Sequence, residues 1–167
     1  KGYRPIADIG KERIRRAGKR ILQEHPEAAG WLDTGFRVLK VDSTNMERIF
    51  YSPDEYPRDL LHCLPDNIKP DRTPEDLLFQ VMLDLGVLPS SKIEEVILSG
   101  KRVFNVADGY LMACFDNEVT DELIREIAKK RPCYAVFRDS VIAADRIAAN
   151  LEQIFETHSP STIRKVL

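Results

Sequence analysis

Three short runs, EEVIL at 94–98, RVFNV at 102–106 and YLMACF at 110–115, are separated by brief gaps that hold Ser99-Gly100 and Asp108-Gly109. Dipeptides of this kind accept positive φ and match the twist of a hairpin, so the runs are expected to form an antiparallel meander. Residues after 115 constrain the fold further. Thr120 stands as N-cap of a helix with Leu123, Ile124, Ile127 and Ala128 inward, ended by Pro132. CYAVF at 133–137 is a wholly apolar short run, the signature of a strand covered on both faces. Ser140–Glu156 repeats Ile142, Ala143, Ile147, Leu151, Ile154 and Phe155 at helical intervals, and IRKVL closes the chain as a last strand. Strand, helix, strand, helix, strand demands parallel pairing through crossovers. The expected fold is therefore α/β with α+β character: a mixed sheet of about five strands, meander plus βαβ crossovers, with helices packed on it.

Upstream, Thr73, Pro74 and Glu75-Asp76 read as a cap, a first-turn proline and dipole-matched acids. The helix they open buries Leu77, Leu78, Val81, Met82 and Leu85 and stops at Gly86. Leu60, Leu61, Leu64 and Ile68 predict another helix over 57–68, before Pro70. Residues 43–56 lack a sustained period and read as a linker. Ahead of it, Ile6, Ile9, Ile14, Ala17 and Ile21 mark an amphipathic helix, and FRVLKVD at 36–42 a strand. Three parts result: 1–42, the linker 43–56, and an α/β domain over 57–167 large enough to fold by itself.

The net charge of −2 is a cancellation. Residues 1–20 hold eight Lys or Arg and two acids, and the remainder seventeen and twenty-five. An acidic body excludes a general polyanion-binding surface, yet Lys11, Arg13, Arg15, Arg16, Lys19 and Arg20 on the first helix could neutralise DNA phosphates. The helix offers no aromatic side chains for base stacking. Cys63, Cys114 and Cys133 form neither a disulfide framework nor a zinc spacing, which suits a reducing cytoplasm, and are expected to be small buried hydrophobes. The longest uninterrupted apolar run is six residues, far short of a membrane span. No signal peptide is evident, and a first residue Lys1 followed at once by a helical pattern suggests a piece of a longer polypeptide.

Catalytic groups are not apparent. His25, His62 and His158 stand alone, without metal-ligand spacing. The acidic pairs 75–76 and 121–122 fall in first helical turns, Asp54-Glu55 lies in the linker, and Glu94-Glu95 opens a strand, where neighbours point to opposite faces. Phosphate-binding glycine loops and nucleophile elbows are absent. Asp139-Ser140 follows a buried strand, where α/β sheets collect ligands, but a helix cap explains the pair. No catalytic, cofactor-binding or metal-ligating residue is assigned.

The runs YRPIADIGKERIRRA (3–17), DTGFRVLKVDSTN (33–45), DNIKPDRTPEDLLFQVMLDLGV (66–87), KRVFNVADGYL (101–111), AVFRDS (135–140) and EQIFETHSP (152–160) cover nearly the whole chain in order. Together they resemble the C-terminal part of the methyltransferase (modification) subunit of type III restriction-modification systems. The resemblance implies a full-length adenine-specific DNA methyltransferase using S-adenosylmethionine on a flipped base. It also implies a homodimer joined to a helicase-nuclease restriction subunit. The family's Asp-Pro-Pro-Tyr and Phe-x-Gly-x-Gly motifs are missing here, since no Asp-Pro dipeptide occurs and Phe36 is followed by Arg37 and Val38. By the resemblance, residues 1–42 end the methyltransferase domain, ordered only when docked, and 57–167 form a non-catalytic C-terminal domain for assembly.

Overall fold

The computed structural model describes residues 5–47, 67–138 and 145–167. It divides into two units, Lys1–Val41 and Asp42–Leu167. The first unit is built around helix α1, Ile6–Glu24.

In the second unit, local chemistry sets the first helix. Helix α2, Pro74–Asp84, opens on a capping box: the Asp76 backbone N–H donates to Thr73 Oγ1 at 3.3 Å and the Thr73 N–H donates to Asp76 Oδ2 at 2.8 Å. Hydrogen bonds from Thr73, backbone first and hydroxyl second, hold the Asp76 carboxyl below the ordinary carboxylate range. The helix ends in a Schellman motif. Val87 N–H reaches Met82 C=O at 2.7 Å and Gly86 N–H reaches Leu83 C=O at 3.1 Å, with Gly86 at φ +69°.

The sheet follows in chain order: β1 (Ile93–Leu98), β2 (Lys101–Val106), β3 (Leu111–Cys114), β4 (Tyr134–Phe137) and β5 (Ile163–Val166). β1, β2 and β3 pair antiparallel, and β3, β4 and β5 pair parallel. This is the expected mixed five-stranded α/β sheet. The first hairpin turns on Ser99 and Gly100, at φ 45° and 76°. The second departs from expectation: Val106 pairs with Leu111, so the connection is 107–110, with positive φ at Ala107, Asp108 and Gly109. The extra residues are accommodated by a turn closed by Tyr110 N–H on Ala107 C=O at 3.2 Å.

Helices α3 (Asp121–Lys129) and α4 (Asp145–His158) make the two crossovers, β3 to β4 and β4 to β5. Crossovers of one hand that step the same way across a sheet place their helices on the same face. Leu123, Ile124, Ile127 and Ala128 of α3 and Leu151, Ile154 and Phe155 of α4 accordingly pack on Val103, Met112, Cys114, Ala135 and Phe137. The opposite face carries Phe104, Val106, Leu111, Ala113 and Val136 beneath Leu77, Leu78, Val81 and Met82 of α2. Strict alternation along β3 and β4 feeds both cores. Thr120 caps α3 by accepting from Leu123 N–H at 3.3 Å. Its other end uses Arg131 at φ +52°, whose N–H reaches Ala128 C=O at 3.0 Å.

Four sequence expectations are corrected among the described residues. Phe36–Asp42 is not a strand: it pairs with no other segment, and its β propensity is realised only beside an open sheet edge. Asn45–Glu47, read as linker, belong to the second unit. There Met46 bridges Ile68, Glu47 N–H donates to Asn67 C=O at 2.8 Å, and Asn45 Nδ2 donates to Gln80 Oε1 at 2.8 Å. Ile68 therefore sits in that bridge and does not end a helix; the rest of the expected 57–68 helix lies outside the described residues, as does the start of the 140–156 helix. Cys114 is buried, but Cys133 is exposed because it precedes the covered part of β4, and Cys63 lies outside the described residues.

Thr73→Ala should cost ~1 kcal/mol by chemical denaturation. Because Asp76 titrates lower when folded, it stabilises the fold above its unfolded value near ~4 and ceases to do so as pH falls through its folded value. Asp76→Asn should flatten the stability–pH slope in that acid window. At the far end of α3, Arg131→Gly should raise stability by up to ~1 kcal/mol, because a side chain is strained at this positive φ.

Candidate nucleic-acid interface

Helix α1 is followed in the first unit by a 3-10 turn, Pro26–Gly30. Six cations and three carboxylates lie along the helix. Lys11 Nζ is 3.2 Å from Asp8, Arg16 Nε 2.8 Å from Glu12 and Arg20 Nε 2.7 Å from Glu24, all at helical neighbour spacing. No residue of α1 is buried.

At 100° per residue the six cations fall into two rows. Arg13, Arg16 and Arg20 form one, while Lys11, Arg15 and Lys19 form the other on a different face. The segment after the 3-10 turn folds back on the second row: Arg15 lies over the Phe36 ring at 5.7 Å, and a Cβ on Gly18 would meet Thr34 at 3.0 Å. The first row is exposed along its length, whereas in the second Lys11 is half-buried and Arg15, though exposed, lies against Phe36. From Arg13 to Arg20 the row is ~10 Å long, which matches about three successive phosphates on one strand. The apolar stripe beside it is uncovered: Ile6, Ile9, Ile14 and Ile21 are 88%, 45%, 50% and 44% exposed.

The remaining sequence candidates do not converge. His25 Nδ1 is 3.1 Å from Glu27, and His158 ends α4. His62, Asp54, Glu55, Asp139 and Ser140 lie outside the described residues. Glu75 pairs with Arg102 at 3.0 Å, Glu94 with Lys92 at 2.7 Å, and Asp121 accepts from Asn150 at 3.2 Å. Glu95 is on the Arg102 side of β1, at 3.7 Å, opposite to Glu94. These carboxylates have structural partners. Among the described residues no three His, Cys, Asp or Glu side chains are grouped to hold a metal ion, and no helix is long and apolar enough to cross a membrane.

One cluster was not singled out by sequence reasoning. Arg72 donates from Nη1 to Asp42 at 3.2 Å and from Nη2 to Ser43 Oγ at 3.1 Å, while Lys69 Nζ donates to the same hydroxyl at 2.9 Å. The Ser43 backbone N–H and then Arg72 hold the Asp42 carboxyl below its ordinary range. Lys69 and Arg72 share a small pocket with Phe115 and Arg138, the residues directly after β3 and β4. Its only sequence signal was the position of Arg138 directly after a doubly buried strand.

The chain matches no protein-family model, and it matches no curated protein sequence.

If the first row contacts a phosphate backbone, Arg13→Ala, Arg16→Ala and Arg20→Ala together should reduce the slope of log affinity against log salt by ~3. The same change at Lys11, Arg15 and Lys19 should reduce the slope by less, because Lys11 is half-buried and Arg15 lies against Phe36. Fluorescence anisotropy with a short duplex at several salt concentrations measures both.

Proposed function

We propose that this chain is the C-terminal portion of the methyltransferase (modification) subunit of a type III restriction-modification system. In that reading the full-length protein transfers a methyl group from S-adenosylmethionine to the exocyclic amino nitrogen of adenine, and these 167 residues do no chemistry of their own. The observation that carries the reading is the set of six ordered runs, from YRPIADIGKERIRRA at 3–17 to EQIFETHSP at 152–160, that together resemble the family. Two features of the fold support it. The second unit spends its side chains on two apolar cores, and its carboxylate pairs are used in caps and ion pairs. The first unit carries an exposed apolar helix stripe and, from Phe36 to Val41, the exposed apolar side chains of Phe36, Val38, Leu39 and Val41, with no strand among its described residues.

Residues 1–42 then complete the sheet of the methyltransferase domain, and α1 lays its isoleucines on it. Residues 57–167 serve assembly: pairing two modification subunits and meeting the helicase-nuclease restriction subunit. Both roles place the chain in the cytoplasm. A second reading, a module that contacts the DNA backbone, is favoured by the open row Arg13, Arg16 and Arg20.

Calorimetric titration of the 167-residue chain with S-adenosylmethionine should show no saturable heat, because the cofactor loop is missing from the sequence. A micromolar site would overturn the assignment of this portion as non-catalytic.

A further inference from the structure

We propose that this chain associates head to tail with further copies of itself, the β5 edge of one copy adding as a parallel strand to the β1 edge of the next. The proposal does not rest on the methyltransferase reading. β1 and β5 are the two edges of the described sheet, and both belong to the second unit. Their sequences match position by position: Ile93-Glu94-Glu95-Val96 on one edge and Ile163-Arg164-Lys165-Val166 on the other. Aligned in that register, two apolar pairs flank two pairs of opposite charge, a combination that stabilises neighbouring strands. Like edges do not match. β5 against a second β5 would crowd four cations together, and β1 against a second β1 four carboxylates, which disfavours a symmetric pairing.

Direction, face and hydrogen bonding agree with this register. Two antiparallel steps make β1 parallel to β3, and β3, β4 and β5 are parallel, so a copy moved along the sheet presents β5 to β1 in parallel. Arg164 and Val166 pair with Ala135 and Phe137 on the α3 and α4 side, the side on which Glu94 alternates with Val96 and Leu98. Ile163 and Lys165 pair with Tyr134 and Val136 on the α2 side, where Ile93 and Glu95 lie. Each proposed pair therefore keeps to one face. The Ile163 and Leu167 N–H groups donate to Cys133 and Phe137, so by alternation the backbone groups of Arg164 and Val166 point away from β4. Lys92 C=O accepts from Ala107, which by the same alternation turns the backbone groups of Ile93, Glu95 and Ile97 away from β2. Glu95 N–H can then donate to Arg164 C=O, and Val166 N–H to Glu95 C=O. Side chains are available as well: Ile163 and Val166 are each 50% exposed, and Ile97 is 68% exposed. The Arg164 and Lys165 side chains have no hydrogen bond or ion pair among the described residues. Glu94 and Glu95 face Lys92 and Arg102 at 2.7 and 3.7 Å, but surface pairs of this kind contribute little and are readily exchanged.

Pairing of unlike edges leaves one β1 and one β5 edge unused at the ends of every assembly, so the series does not close at a dimer. Small-angle X-ray scattering of the 167-residue chain over a concentration series tests this. The mean mass should rise past that of a dimer as concentration approaches about 1 mM, with a stepwise dissociation constant of roughly 0.1–1 mM for so short an edge. Added salt should lower it by screening the charge pairs. Arg164→Glu with Lys165→Glu, and separately Glu94→Lys with Glu95→Lys, should each weaken association by about tenfold or more while the melting temperature is kept. Mixed in equal amounts, the two variants should associate again, because each offers the edge that the other lacks. Helix α1 is unchanged in every sample, so association through its isoleucines would survive both reversals. A mass that stays monomeric throughout, a mass that stops at the dimer, association unaltered in both variants, or a mixture that stays apart would overturn the proposal.

Discussion

Strands β3 and β4 pair in the middle of the sheet with almost every side chain removed from water, Met112, Cys114, Ala135 and Phe137 toward one side and Leu111, Ala113 and Val136 toward the other. A pair of strands buried on both faces cannot exist without cover on both. Each large apolar side chain fully buried there contributes ~1.5–3 kcal/mol only while its lid stays in place. That requirement accounts for the rest of the second unit: α3 and α4 cover one face, and α2 covers the other. It also accounts for the paired segment around Met46 and Ile68, which packs with α2 on the second face. Arg72 ties that segment down through Asp42 and Ser43, so the one strongly cationic cluster described in the unit grows out of a packing need.

Elements whose causes are local were legible in the sequence. Helix α2 announces itself through Thr73, Pro74, Asp76 and Gly86, each of which acts on its own backbone or on a neighbour within five residues. The first hairpin is likewise written into Ser99-Gly100, and β4 and β5 into short apolar runs after helix stops. Elements whose causes are distant were not. FRVLKVD has strand composition, but pairing belongs to two segments and the described chain provides no second one. Met46 pairs with Ile68 across more than twenty residues of sequence, which no period or cap could indicate.

The candidate sites divide in the same way. The six cations of α1 could be read from the sequence, and so could their helical spacing. Their separation into an open row and a row overlaid by Phe36 could not, because it depends on how the chain returns after Gly30. The pocket of Lys69, Arg72 and Arg138 combines residues from before α2 and after β4 with Phe115 after β3. Only strand register brings these three stretches to one end of the sheet. Cys133 makes the complementary point: it belongs to the apolar run CYAVF, but one position before the first paired residue is enough to put a thiol in water.

The strand order of the sheet is the order of the chain, and this bears on how the fold can be assembled. Among the described strands none is inserted between two earlier ones, so no hydrogen-bond ladder formed by them has to open to admit a later one. Each strand joins an edge that the preceding strand has just created, and each crossover helix lands on strands already paired. Closing entropy is met in short instalments of one hairpin or one crossover, the arrangement that keeps contact order low for a sheet containing parallel pairs. Among the described strands β5 is an edge, and its Arg164 and Lys165 carry the kind of edge charge that discourages unspecific strand addition.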